Sequence, residues 1–127
     1  MAEVVLDASA LLALLNAEPG GELVAEALPE CVMSAVNLSE VVAKLAEAGM
    51  PGDVIKQALG ALLLEVVAFD AAQAYEAGLL QPSTRAAGLS LGDRSCLGLA
   101  RILGLPTVTA DRRWATLMVG VEVRVIR

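Results

Sequence analysis

Four acidic residues of this 127-residue chain have the types and positions to act together chemically. Asp7 follows the apolar run Glu3-Val-Val-Leu6 and precedes a Leu/Ala-rich stretch. Glu40 and Asp93 fall in the expected first turns of two amphipathic stretches, within Asn37-Leu-Ser-Glu40 and Ser90-Leu-Gly-Asp93, and Asp111 follows the run Thr107-Val-Thr109. In a parallel sheet the strand ends and helix starts share one rim, and ligands bind in the crevice there. That rim would bring all four carboxylates to one pocket from distant parts of the sequence. Two carboxylates ~5 Å apart repel by about 3 kcal/mol at an effective dielectric of 20, so the six pairs among four acids approach ~20 kcal/mol. Either some of them protonate or a cation sits among them. Oxygen donors without Cys or His favour Mg²⁺ or Mn²⁺. Such an ion activates water and offsets charge on a phosphate, and it bridges an acidic pocket to a phosphodiester. Arg94, Arg112 and Arg113 stand beside two of the acids and are candidates for gripping flanking phosphates. Each acid also has a plainer reading. Carboxylates cap helix N-termini, both tetrads resemble capping boxes, and Glu40 can pair with Lys44 at i+4.

The rest of the composition removes competing chemistries. The chain has no histidine, which excludes Ser-His-Asp and Cys-His nucleophiles, His-rich zinc sites and imidazole-based ribonucleases. Its three aromatics, Phe69, Tyr75 and Trp114, are too few for a base-stacking platform. Cys31 and Cys96 lie far apart in apolar surroundings and read as buried free thiols. Net charge is −6, which taken whole disfavours a nucleic-acid binder, but it is unevenly spread. Residues 1–63 carry nine acids against two bases, whereas from Arg85 onward seven arginines face three acids. An arginine-bearing surface is therefore compatible with an acidic protein. The hydrophobic fraction, 57%, exceeds the ~45–50% of an ordinary domain and points to apolar surface buried against another chain.

The elements that must position these residues follow from the pattern. Short apolar runs alternate with helical stretches, as in βαβ units around a parallel sheet. Strands are expected at Glu3–Leu6, Cys31–Met33, Leu64–Phe69, Pro106–Thr109 and, at an edge, Val121–Ile126. Helices are expected up to about Asn16, over Gly21–Leu28, over Val36–Ala48 with Leu38, Val41, Val42 and Leu45 on one face, from Pro51 to about Leu62, from Asp70 to Pro82 or shortly after, and over Leu91–Leu103. The length suits one domain spanning 1–127. The longest charge-free stretch, Ala8–Ala17, is too short for a membrane span, and the start lacks a signal peptide's basic and long apolar regions, so a cytoplasmic protein is expected.

Four segments together are recognisable: Val5-Leu-Asp7-Ala-Ser9-Ala, Asn37-Leu-Ser-Glu40-Val, Leu89-Ser-Leu-Gly-Asp93-Arg-Ser-Cys96-Leu and Thr109-Ala-Asp111-Arg-Arg-Trp114. In order and spacing they resemble the signature segments of PIN-domain ribonucleases, most closely the VapC-type toxins of toxin–antitoxin systems. The resemblance covers essentially the whole chain. It implies a three-layer α/β/α fold with a mainly parallel sheet and Mg²⁺- or Mn²⁺-dependent cleavage of RNA. By position it implies Asp7 and Asp93 as the firmest metal ligands, with Asp111 and Glu40 completing the shell or holding water on the ion. It also implies Ser9 and Thr109 as small polar groups bonded to the acids, a homodimer, and neutralisation by a small antitoxin protein. Some relatives carry a further acid shortly after the fourth; residues 112–116 contain none, so a single ion is the expectation.

Other readings lack their motifs. No G-x-G-x-x-G follows a strand and no G-x-x-x-x-G-K-[ST] is present, which removes dinucleotide-binding and P-loop folds. Ser9 stands where a HAD-type phosphatase would carry a second acid, and both lysines, Lys44 and Lys56, lie too early for a receiver domain. The remaining alternative is a non-catalytic, oligomeric α/β interaction module whose acids are helix caps.

Overall fold

Five short apolar segments form the sheet in the computed structural model, which describes residues 1–127: β1 (Val4–Leu6), β2 (Cys31–Ser34), β3 (Glu65–Val67), β4 (Thr107–Thr109) and β5 (Val123–Val125). Their order is β3-β2-β1-β4-β5, with every neighbouring pair parallel. Val5 stands opposite Val32 on one side and Thr107 on the other, so β1 lies at the centre. Successive side chains of a strand point to opposite faces. Val4 and Leu6 accordingly join one core with Met33 of β2 and with Leu11, Val24, Val41 and Ile55, contributed by α1 (Ala8–Leu15), α2 (Gly21–Ala27), α3 (Ala35–Glu47) and α4 (Gly52–Gly60). Val5 and Val32 face a second core with Leu80, Cys96, Leu97, Leu99 and Trp114. That side is built from α7 (Leu91–Leu103), a 3₁₀ turn over Arg112–Thr116, and α5 (Ala71–Leu79) packed on α7, with α6 (Gln81–Thr84) following α5. The result is the expected α/β/α sandwich about a parallel sheet, with β5 at an edge.

One local expectation is corrected. The helix after β2 starts at Ala35, because β2 runs one residue further and the buried Ser34 caps it, its Oγ accepting from Val36 N at 3.2 Å. The Asn37–Glu40 capping box therefore does not form, and Glu40 sits in the second turn. After Asp70, α5 ends at Leu79 and the short α6 closes at Thr84, so the helical stretch ends shortly after Pro82, as expected. Proline suits a helix start, and here it sits in the first positions of α6. Both cysteines are free and buried, as expected. No helix is long and apolar enough to cross a membrane.

Candidate active site

Asp7 is where the site begins. It caps α1, its Oδ1 accepting from Ala10 N at 2.9 Å. Two hydroxyls serve the same carboxylate: Ser9 Oγ lies 2.8 and 2.9 Å from its two oxygens, and Thr109 Oγ1 donates to Oδ2 at 2.6 Å. Each hydroxyl is oriented in turn, since Ser9 Oγ accepts from Ala110 N at 2.9 Å and Thr109 Oγ1 from Asp111 N at 3.0 Å. The backbone leaving β4 thus aims two donors at the acid leaving β1, its neighbour in the sheet. Asp7 is only 3% exposed, and burial lifts its pKa to about 6 against the opposing pull of Thr109, Ala10 and Ser9. Asp93 contributes a smaller push in the same direction. Burial, more than crowding of carboxylates, is what opposes its charge.

The other three acids arrive from separate elements. Asp93 closes the capping box of α7: Ser90 N donates to its Oδ2 at 2.9 Å while Ser90 Oγ accepts from Asp93 N at 3.2 Å. Glu40 lies against the N-terminus of α7. Asn37 Nδ2 donates to Glu40 Oε1 at 2.8 Å and to the Gly92 carbonyl at 2.9 Å, joining α3 to α7. A Cβ on Gly92 would collide with both Glu40 oxygens, so the carboxylate occupies the space a side chain there would fill. Burial raises the pKa of Glu40, with the Asn37 bond opposing. Asp111 begins the 3₁₀ turn and is held by Arg113, whose Nη2 donates to Oδ2 at 2.6 Å and whose Nε lies 3.0 Å from both oxygens. That guanidinium pulls the Asp111 pKa below the usual range.

Asp7, Glu40, Asp93 and Asp111 line one hollow of about 210 Å³, together with Ser9, Lys44, Ala8 and Leu12. In kind the donor set fits a hard divalent ion: oxygens only, with a buried, hydroxyl-buttressed aspartate at the floor. As they stand, no three acids converge as a ready ligand set. Two of them are turned to protein partners instead, Asp93 to Ser90 N and Asp111 to Arg113.

The arginines singled out beside the acids have separate fates. Arg94 donates from Nη1 to the Ala77 carbonyl at 3.1 Å, with its Nε buried, and so ties α7 to α5. Arg112 donates to the Arg127 carbonyl at 3.0 Å. Arg113 alone reaches the acids, 3.8 Å from Asp93 as well as paired to Asp111. Lys44, read from sequence only as a partner for Glu40, lines the hollow without forming that ion pair. The roles of Asn37 and Gly92 were not legible either. Asn37 stands three residues before Glu40, and only the tertiary contact shows that its amide spans two helices.

An α/β/α sandwich whose central strands and flanking helices bring four acids to one hollow defines the class of protein. The PIN domain family model matches residues 4–118, and the chain belongs to the PIN domain family. Its fold is similar to that of the DNA-bound VapBC from Salmonella typhimurium, with TM-score 0.77 and 20% identity over 100% of both chains. It is also similar to VapC20 of Mycobacterium tuberculosis, described as a sarcin-ricin loop cleaving toxin, with TM-score 0.70 and 17% identity over 94% of this chain and 99% of that one. A third similar structure is VapBC-5 of Mycobacterium tuberculosis, a member of the VapBC family of toxin-antitoxin systems, with TM-score 0.62 and 25% identity over 100% of this chain and 99% of that one. No curated protein sequence matches the chain.

Proposed function

We propose that this chain is a metal-dependent endoribonuclease, the toxin of a toxin–antitoxin pair, acting in the cytoplasm as one nuclease domain over residues 1–127. The observation that carries the reading is the meeting of Asp7, Glu40, Asp93 and Asp111, from four distant segments, around one hollow. Asp7, Asp93 and Asp111 would hold one Mg²⁺ or Mn²⁺, with Glu40 completing the set. The bound ion supplies positive charge at the scissile phosphate and makes water more acidic. The protein's own groups do the positioning. Ser9 and Thr109 fix the Asp7 carboxylate, Asn37 fixes Glu40 against α7, and the capping box holds Asp93 in register with the helix N-terminus. Glu40 faces the same hollow and is placed to orient or accept a proton from the attacking water. Similarity to VapBC complexes and to an RNA-cleaving toxin supports an antitoxin partner and an RNA substrate. Exposed Tyr75 and Leu79 on α5 supply apolar surface that a homodimer or antitoxin would cover.

Helix capping favours a second reading. Three of the acids do cap helices or turns, as an interaction module's would. A cap stabilises by about 0.5–2 kcal/mol and works best at the surface, where its charge remains solvated. Asp7 is instead buried deeply enough to raise its pKa to about 6, an arrangement poorly suited to stability. The two readings separate in a cleavage assay on defined RNAs with Mg²⁺ or Mn²⁺. The nuclease reading expects cutting that chelator abolishes and that Asp7→Asn or Asp93→Asn lowers at least a hundredfold (the order of a lost catalytic group) with the fold intact. Equal cutting by wild type and both variants would assign the activity to a contaminant and favour the module.

A further inference from the structure

We propose that Arg113 is an internal counter-ion of the acidic hollow, competing with a divalent cation for Asp111 and Asp93 and so setting the ion concentration at which the site loads; this rests on the divalent-ion reading above. The geometry is that of a latch. Nε and Nη2 of Arg113 engage both oxygens of Asp111, at 3.0, 3.0 and 2.6 Å, which is the forked pairing a guanidinium makes with a carboxylate. Nη2 also lies 3.8 Å from Asp93 Oδ2. Nη1 donates to the Ala87 and Gly88 carbonyls at 3.1 and 3.4 Å, so the loop before α7 fixes the guanidinium beside Asp111 and Asp93, two acids of the hollow.

Asp111 cannot turn its oxygens fully to an ion while both accept from Arg113. One positive charge here serves two carboxylates, and a divalent ion would match them better. The exchange is open to solvent, because the Arg113 side chain is 53% exposed and can swing out without leaving a buried charge behind. Neighbouring arginines are not equivalent: Arg112 is spent on the Arg127 carbonyl and Arg94 on that of Ala77.

Calorimetric titration of Mn²⁺ into metal-stripped protein tests this with no reference to RNA cleavage. Arg113→Ala is expected to bind Mn²⁺ roughly three- to fivefold more tightly than wild type, the upper end of the scale of an exposed ion pair. Arg113→Lys, which keeps the charge and loses the fork, is expected to gain less, and Arg112→Ala to change affinity by less than about twofold. The metal-free melting temperature of Arg113→Ala should lie below that of wild type and recover with Mn²⁺. Equal or weaker binding by Arg113→Ala, beside a wild type whose binding depends on Asp7, overturns the competition and leaves the ion site standing. A gain in Arg112→Ala matching that in Arg113→Ala also overturns it, by reducing the effect to bulk charge. No Mn²⁺ binding in any variant removes the divalent-ion reading and this proposal with it.

Discussion

A single carboxylate, that of Asp7, sets the pH behaviour of the metal-free protein. Its folded pKa of about 6 lies above the ~3.9 of a free aspartate, so between these values the folded chain holds a proton that the unfolded chain has released. Stability must then fall as pH rises from about 4 to about 6, by about 3 kcal/mol in all, and level off above. Glu40 adds to the fall, since its pKa is also raised, whereas Asp111, lowered by Arg113, contributes stability that is lost only as pH drops below the ordinary carboxylate range. Asp7→Asn keeps an acceptor for Ala10 N and removes the charge. Denaturant unfolding in chelator is therefore expected to show the variant with only the smaller decline that Glu40 contributes, and more stable than wild type at pH 8. A wild type that gains stability between pH 4 and 6 in parallel with the variant contradicts the burial argument. Ser9 and Thr109 were legible as partners of the acids only through the resemblance of their segments to those of PIN-domain ribonucleases. The Arg113 latch was not, since a guanidinium two residues after an acid reads equally well as solvated charge.

Among the elements, the joint between α3 and α7 decides where Glu40 points. Asn37 is almost fully buried and its amide spans the two helices, while Gly92 leaves the room that the Glu40 carboxylate takes. Gly92→Ala should therefore act on the site more than on the fold. Alanine favours the helix by up to about 1 kcal/mol, and the group it displaces is the movable end of a long side chain. The expected outcome is a melting temperature within a few degrees of wild type together with at least a tenfold loss of RNA cleavage, on the scale of a misplaced catalytic group. Full activity in a well-folded Gly92→Ala protein would show that the position of Glu40 does not matter. The ends of α7 were readable to the residue because both carry local signals, the Ser90-x-x-Asp93 box and the left-handed Gly104. The start of α3 was misread because Asn37-Leu-Ser-Glu40 has the pattern of a capping box, whereas the residue that caps α3 is Ser34, at the end of β2. Its capping role depends on where the strand stops, which local sequence does not fix.

Across the whole molecule, strand order converts sequence separation into proximity. β1 and β4 are neighbours at the centre of the sheet, so Asp7 and Asp111 emerge side by side although 104 positions separate them in the sequence. α7 crosses the other face and delivers Asp93, and α3 delivers Glu40. The parallel sheet and its rim were legible from alternating apolar and helical stretches, and that rim is why the four acids could be grouped before any coordinates. What could not be read was the state of the group, which depends on burial and on partners such as Arg113 and Asn37 that only packing brings near. The account stands on these acids forming one divalent-ion site, and anomalous diffraction from crystals soaked in Mn²⁺ measures that directly. The expected result is a single strong peak in the hollow, ~2.0–2.3 Å from oxygens of Asp7 and Asp93, with Asp111 turned from Arg113 toward it. Crystals saturated with Mn²⁺ that show no peak there, or show it only at surface acids elsewhere, would contradict the account.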